Sequence, residues 1–169
     1  MRNVICTLVK RNWESKRMEL RFRRATLDDI ETLSEIRKNQ LQDEGQEPLS
    51  DIDHELYHFF REKMEKEDLV EWLAEDQSGE IVATSAILLM DFPPAFNNPS
   101  GKKGYITNMY TADEYRGQGI AGKLLQKVEA EAKERGVTKL FLHASEMGRR
   151  AYIKSDYLET SEMMIKDLC

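Results

Sequence analysis

The sequence predicts an α/β (α+β) fold: one mixed central β-sheet flanked by helices. Three observations predict it. Strand-like alternation and helix-like periodicity succeed one another in the order β-α-α-β-β-β-α-β-α-β. A hairpin signal and a β-α-β crossover occur in one run, so antiparallel and parallel pairs share a sheet. The 169 residues suit a single domain that folds without a disulfide or a metal.

Residues 1–17 read as a basic, weakly patterned leader or N-terminal extension, and the compact domain is expected over 18–169. Alternation over 20–24 predicts the first strand. Thr26 is an N-cap for a helix over 27–39, with Asp28 and Asp29 in its first turn and Leu27, Ile30, Leu33 and Ile36 on one face. Pro48 interrupts the pattern within 45–50, and helical spacing resumes over 51–66. Strands over 69–75 and 80–89 meet at Ser78-Gly79, a hairpin signal. A Pro- and Asn-rich loop covers 91–103. A strand over 104–111 then leads into a long helix over 119–135, which stops at Gly136, a natural residue for the position after a helix end. A strand over 137–144, a short helix over 148–155 and a closing strand over 158–166 complete the order.

Composition narrows the function classes. The net charge is −6, with no basic stripe, which argues against a nucleic-acid partner. An acidic surface attracts a cationic amine, and it equally well keeps a protein in solution. No apolar run approaches a membrane span, and the run at 4–9 is too short for a signal segment, so no membrane partner and a cytoplasmic location are expected. Cys6 and Cys169 make no disulfide framework, and their spacing fits no zinc pattern. His54 and His58 lie one helical turn apart among charges; they read as exposed helix positions sooner than as a metal pair, and no metal is expected.

The informative stretch is 110–125, YTADEYRGQGIAGKLL. Gly117, Gly119 and Ala121 stand where a strand hands over to a helix. The glycines admit positive φ and close approach of a ligand. The helix start offers unpaired N–H groups and partial positive charge, and Arg116 adds a planar cation for phosphate oxygens. A pyrophosphate is the natural ligand of such a turn; a tight turn without a ligand is the plain alternative. Gly117, Gly119 and Gly122 also spell G-x-G-x-x-G, but the loop comes late and no acidic strand end follows at the distance a dinucleotide fold needs.

The segment Arg116-Gly117-Gln118-Gly119-Ile120-Ala121 resembles the Arg/Gln-x-x-Gly-x-Gly/Ala signature of the GCN5-related N-acetyltransferases, the GNAT superfamily. Asp113-Glu114-Tyr115 stands where that family has a Pro-Glu-Tyr-like turn, and residues 151–157, AYIKSDY, look like its Leu-Tyr-x-Lys-x-Gly-Phe segment. The resemblance spans nearly all of the chain after the leader. Asp156 departs from the usual glycine, Ala151 from leucine, and Ser145 from the asparagine common seven residues before the tyrosine.

The resemblance implies a GNAT-like three-layer fold and an N-acetyltransferase moving an acetyl group from acetyl-CoA to a primary amine of a small molecule or peptide by direct transfer. It implies that the backbone of Met109, Tyr110 and Thr111 faces the pantetheine arm, beside a bulge that opens strands 104–111 and 137–144 into a cleft. Gln118, Gly119, Ile120, Ala121 and Gly122, with Arg116 and Gly117, would hold the pyrophosphate. Tyr152 would protonate the leaving thiolate, and Ser145 would hydrogen-bond at the acyl end. No carboxylate stands on the strand 104–111. Asn108 and Glu44 are candidates for the acceptor side, and Glu44, Glu47, Asp51 and Glu146 for the base. Helices 27–39 and 51–66, with the loop 45–50 between them, would form the acceptor wall, and the loop 91–103 would cover it. Two other readings stay open: a non-catalytic CoA-binding module of the same fold, and an acetyltransferase acting on protein lysines or N-termini. The apolar end Leu88, Leu89 and Met90 makes a homodimer an expectation as well.

Overall fold

A computed structural model describes residues 19–161, 164–166 and 168. The leader 1–17, with Cys6, and Cys169 lie outside the described residues. In chain order the elements are β1 (Arg21–Arg24), α1 (Ile30–Asp43), α2 (Asp53–Glu65), β2 (Leu69–Glu75), β3 (Ile81–Asp91), β4 (Lys102–Thr111), α3 (Ile120–Glu134), β5 (Lys139–Phe141) and α4 (Arg149–Lys154). Single 3-10 turns at Leu27–Asp29 and Asp113–Tyr115 lead toward α1 and α3.

The five strands form one sheet in the order β1-β2-β3-β4-β5. The first three pairs are antiparallel, and β4 pairs with β5 in parallel. The sheet is therefore mixed, as the hairpin-plus-crossover pattern predicts. Alternation along β2 assigns the two faces. Leu69 and Leu73 pack with Ile30, Leu33 and Phe60 under α1 and α2. Val70 packs with Leu125, Val128 and Ala132 of α3 and with Tyr152 of α4. Ala74, Val82 and Ala83 meet Ile120 and Leu124 at the start of α3. Helices thus cover both faces, and period 2 on the strand meets period 3.6 on the helices. Leu124 is fully buried, so truncating it to alanine is expected to cost about 2–5 kcal/mol.

Local signals explain the boundaries. Thr26 donates its backbone N–H (2.7 Å) and its hydroxyl (3.1 Å) to the Asp29 carboxylate, closing the turn ahead of α1. Asp76 Oδ1 accepts from the Ser78 N–H, the Ser78 hydroxyl and the Glu80 N–H, which builds the β2–β3 turn around Gly79 at φ +87°. These donors hold the Asp76 carboxyl down at about 2. Past α3, Gly136 takes φ +74°; its N–H reaches the Lys133 carbonyl and that of Val137 reaches Ala132, so the last carbonyls are satisfied.

Three expectations change. The closing strand over 158–166 is not found: the described residues there carry no strand, and Leu158, Met164 and Ile165 lie exposed. The strand over 137–144 shrinks to Lys139–Phe141. The two corrections share a cause, because a three-residue edge offers too short a ladder to seat another strand. The loop over 91–103 shortens to 92–101, since β3 and β4 each extend by pairing Asp91 with Lys102.

Candidate active site

The site begins with a bulge. Thr84 pairs with Tyr110 and Ala86 with Thr107, so Asn108 and Met109 on β4 oppose Ser85 alone on β3. Asn108 sits at φ +51°. Its carbonyl accepts the Thr84 hydroxyl at 2.7 Å, and its side-chain amide donates to Glu71 Oε2 at 3.2 Å. On the other edge of β4 the ladder to β5 ends at Tyr105–Phe141. Beyond it the strands part, and residues 142–144 leave the sheet.

A cavity of about 470 Å³ fills the gap. Met109, Tyr110 and Thr111 form its floor. Arg116, Gly117, Gly119, Ile120, Ala121 and Gly122 close one end, and Ser145 and Tyr152 stand on the opposite wall. Gln118 does not line it; its side-chain amide donates to the Glu114 carbonyl instead. Gly117 and Gly119 both take φ +76°, and a Cβ built at Gly117, Gly119 or Gly122 would meet nothing within 4 Å. The loop is thus open space bounded by backbone. In α3 the first return bond runs from the Lys123 N–H to the Gly119 carbonyl, which leaves the earlier N–H groups of the 15-residue helix directed at the cavity. No acidic residue stands in its first turn. A phosphate-bearing ligand fits that donor set.

Arg116 is held in place before any ligand arrives. Its Nε donates to the Thr111 carbonyl at 2.8 Å, and its two amino groups lie 2.6 Å from Asp43 and 2.6 Å from Asp113. Tyr152 is 7 % exposed, and burial pushes its phenol up to about 12. Ser145 Oγ accepts the Gly148 N–H at 3.1 Å, which fixes the turn that opens α4. Asp156, where the family resemblance has glycine, adopts φ +63° right after that helix.

A second cavity of about 700 Å³ adjoins the first, and Asp43, Glu44, Ser145 and Met147 line both. Gln46, His143, Ala144 and Glu146 complete its wall. The Tyr105 hydroxyl and His143 Nδ1 are 3.0 Å apart beside it. Glu44 Oε1 accepts the Gln40 amide at 3.0 Å. Of the candidate bases, Glu44 and Glu146 line this space, while Glu47 and Asp51 are exposed and line neither cavity. Asn108 lines neither cavity either, because the bulge turns its side chain inward to Glu71. Of the expected acceptor wall, the end of α1 and Gln46 in the loop after it line the two cavities, and α2 lines neither. The loop 92–101 does not cover the cleft; Phe92 packs edge-on against Phe141 at 6.2 Å, on the outer edge of the sheet.

Glu71 is the residue that sequence reasoning missed. It is 2 % exposed, and burial raises its carboxyl to about 8, opposed by the Asn108 hydrogen bond and the charge of Arg37. The signal was present: Glu71 stands at an inward position between Leu69 and Leu73, and unlike Glu75 of the same strand, which pairs with Arg23, it has no cation bound to it among the described residues, so a buried carboxylate there needs a reason. Among the described residues no three His, Cys, Asp or Glu side chains converge as a metal site would require, and no helix is long and apolar enough to cross a membrane.

Known proteins share this fold. The profile of the acetyltransferase (GNAT) family matches residues 28–153. The crystal structure of a predicted acetyltransferase with acetyl-CoA from Clostridium acetobutylicum superposes with a TM-score of 0.86 at 46% identity, covering 88% of this chain and 96% of that one. A GCN5-related N-acetyltransferase from Ralstonia eutropha JMP134 superposes with a TM-score of 0.81 at 26% identity, covering 88% and 99%. The thialysine N-epsilon-acetyltransferase of Bos taurus is 33% identical over 57 residues, 34% of this chain and 34% of its own length, so that match spans about a third of either protein.

Proposed function

The chain belongs to the acetyltransferase (GNAT) family, and on that premise we propose that it moves an acetyl group from acetyl-CoA to a primary amine of a small molecule or peptide by direct transfer. The observation that carries the reading is the continuity of three features. A glycine cradle at the start of α3, the unpaired edge of β4 and the buried phenol of Tyr152 line one cavity. The Clostridium relative, described with acetyl-CoA, supports the same cofactor here.

Each residue of the cavity has a part. The N–H groups at the start of α3 and Arg116 bind the pyrophosphate, and the freed edge of Met109–Thr111 aligns the pantetheine amides. Acetyl-CoA supplies the activated acyl group. The amine enters through the second cavity, whose Asp43, Glu44 and Glu146 favour an acceptor that carries positive charge. Glu44, on both walls, accepts the proton that the amine gives up and passes it to solvent. The new C–N bond replaces the C–S bond, and the thiolate leaves. Tyr152 stays protonated, since its phenol lies at about 12. Full proton transfer from it to a thiolate of pKa about 8.5 is uphill. It therefore acts as a hydrogen-bond donor to the sulfur as negative charge develops there, and the thiolate takes its proton from water. Ser145 holds the turn that carries α4, and with it Tyr152, against the cleft.

The name of the Bos taurus relative, with its N-epsilon acceptor, is consistent with an amine at the end of a side chain. The test is a thiol-release assay with acetyl-CoA across polyamines, aminoglycosides, amino acids and lysine peptides. Turnover is expected with at least one acceptor bearing a second positive charge. Thermal stabilisation by acetyl-CoA without any turnover would favour the CoA-binding module instead, and no stabilisation at millimolar acetyl-CoA would overturn the reading.

A further inference from the structure

Glu71 takes no part in the chemistry above, lines neither cavity of the cleft, and still occupies the middle of the sheet. Its neighbours on the sheet face are apolar: Leu69 and Leu73 on its own strand and Ala86 on β3. The charged groups that face it are Arg37 from α1 and Asp29 from the turn before α1. Asp29 is already engaged, at 2.7 Å by each of two guanidinium nitrogens of Arg23. The Glu71 side chain accepts a hydrogen bond from the Asn108 amide, 37 residues away on β4.

Asn108 is the residue on which the cleft turns. An L-residue at φ +51° needs its surroundings to hold it there. Asn108 is held by the Thr84 hydroxyl on its carbonyl and by Glu71 on its side chain, and it is buried. The extra residue that this conformation accommodates shifts β4 by one position against β3. It lies just past the point where β4 and β5 cease to pair. A carboxyl in an apolar sheet carries a desolvation cost that the hydrogen bond from Asn108 offsets here only in part.

We infer that Glu71 is a positioning residue for the cofactor cleft: by accepting the Asn108 amide it keeps the β4 bulge in its left-handed form, and the bulge keeps β4 parted from β5. The inference rests on the reading that this cleft binds acetyl-CoA. Burial keeps the group largely protonated at neutral pH, and a neutral carboxyl still accepts through its carbonyl oxygen.

The test compares Glu71→Met, Asn108→Gly and the double variant by calorimetric titration with acetyl-CoA at neutral pH, circular dichroism being recorded for each. Methionine fills the same volume and removes the acceptor. Its dissociation constant is expected to rise about tenfold, a fold-change of the order that the support of one left-handed residue represents. Glycine adopts positive φ without a latch. Adding Asn108→Gly to Glu71→Met should therefore bring the constant back to within about threefold of the parent. A residue that only stabilised the core would not be rescued in this way. Parent-like affinity in Glu71→Met overturns the latch, as does a double variant that binds as weakly as the single one. Where Glu71→Met does not fold, the double variant decides: folding with parent-like affinity supports the latch, and failure to fold overturns it. A parent protein that does not bind acetyl-CoA would instead overturn the proposed function, and the latch with it.

Discussion

Arg116 Nη2 lies 2.6 Å from Asp43 Oδ2, so the loop that opens α3 is tied to the last residue of α1. The tie joins the glycine end of the first cavity to the Asp43–Glu44 wall that the two cavities share, which the proposed function makes the cofactor and acceptor sides. The guanidinium is fixed by Asp43, Asp113 and the Thr111 carbonyl, so little rotamer freedom remains to be lost when an anion binds.

Arg116→Ala is therefore expected to weaken acetyl-CoA binding about tenfold or more at low salt, and by less at about 0.5 M salt, where the charge contact is screened. Calorimetric titration at the two ionic strengths checks this. Parent-like affinity in both would place the phosphates elsewhere.

Gly122→Glu separates folding from binding. Gly122 lies in the first turn of α3, and a Cβ there meets nothing within 4 Å. Glutamate is the better helix former by up to about 1 kcal/mol, and its charge suits a helix start. The melting temperature should hold or rise while acetyl-CoA binding is lost, because the carboxylate enters the phosphate site. Retained binding would show that the cradle does not hold phosphate.

Tyr152→Phe keeps the ring that packs with Val70 and Leu125. Turnover is expected to fall about 10- to 100-fold, at or below the low end of acid catalysis, because the phenol donates a hydrogen bond without giving up its proton. The ratio of parent to variant should stay constant over roughly pH 6–9, since burial holds the phenol at about 12. A ratio that changed tenfold across that range would mean that Tyr152 titrates during the reaction.

Glu71 also sets a pH dependence of stability. Its carboxyl lies at about 8 in the fold against an ordinary 4.5, so the folded state holds a proton that the unfolded chain releases between those values. Its contribution is fully present below the lower value, declines as pH rises through the window, and is lost above the upper one. Glu71→Gln removes the titrating group. Urea unfolding at about pH 5, 7 and 9 should therefore show the parent losing stability relative to this variant across the series. A difference that did not vary with pH would mean that Glu71 keeps its ordinary acidity.

The parts legible in the sequence were those written by neighbouring residues. The β2 strand was read with its observed ends, and the turn at Ser78-Gly79 and the stop at Gly136 follow from local backbone chemistry. So does the loop 116–122, where glycines, an arginine and a helix start lie within a few positions. What escaped was set by residues far apart in the chain. The resemblance implied a bulge on β4 but not its partner: Asn108 was a candidate for the acceptor side, whereas register with β3 turns it toward Glu71, 37 positions away. The early end of β5 depends on where β4 turns away, and the strand expected over 158–166 depended in turn on β5. His143 next to Tyr105 is a contact across 38 positions that no spacing rule reports.

The parting of β4 from β5 has a consequence for how substitutions read out. Past Tyr105–Phe141, the groups that β4 offers on that edge are peptide N–H and C=O, not side chains. Most exchanges at Met109, Tyr110 or Thr111 leave those groups where they are. Only proline, which deletes an N–H, strikes the main-chain surface directly. If the pantetheine arm lies along this strip as proposed, its sequence is free to drift while its capacity to bind stays fixed, and an alanine scan along it would understate that contact.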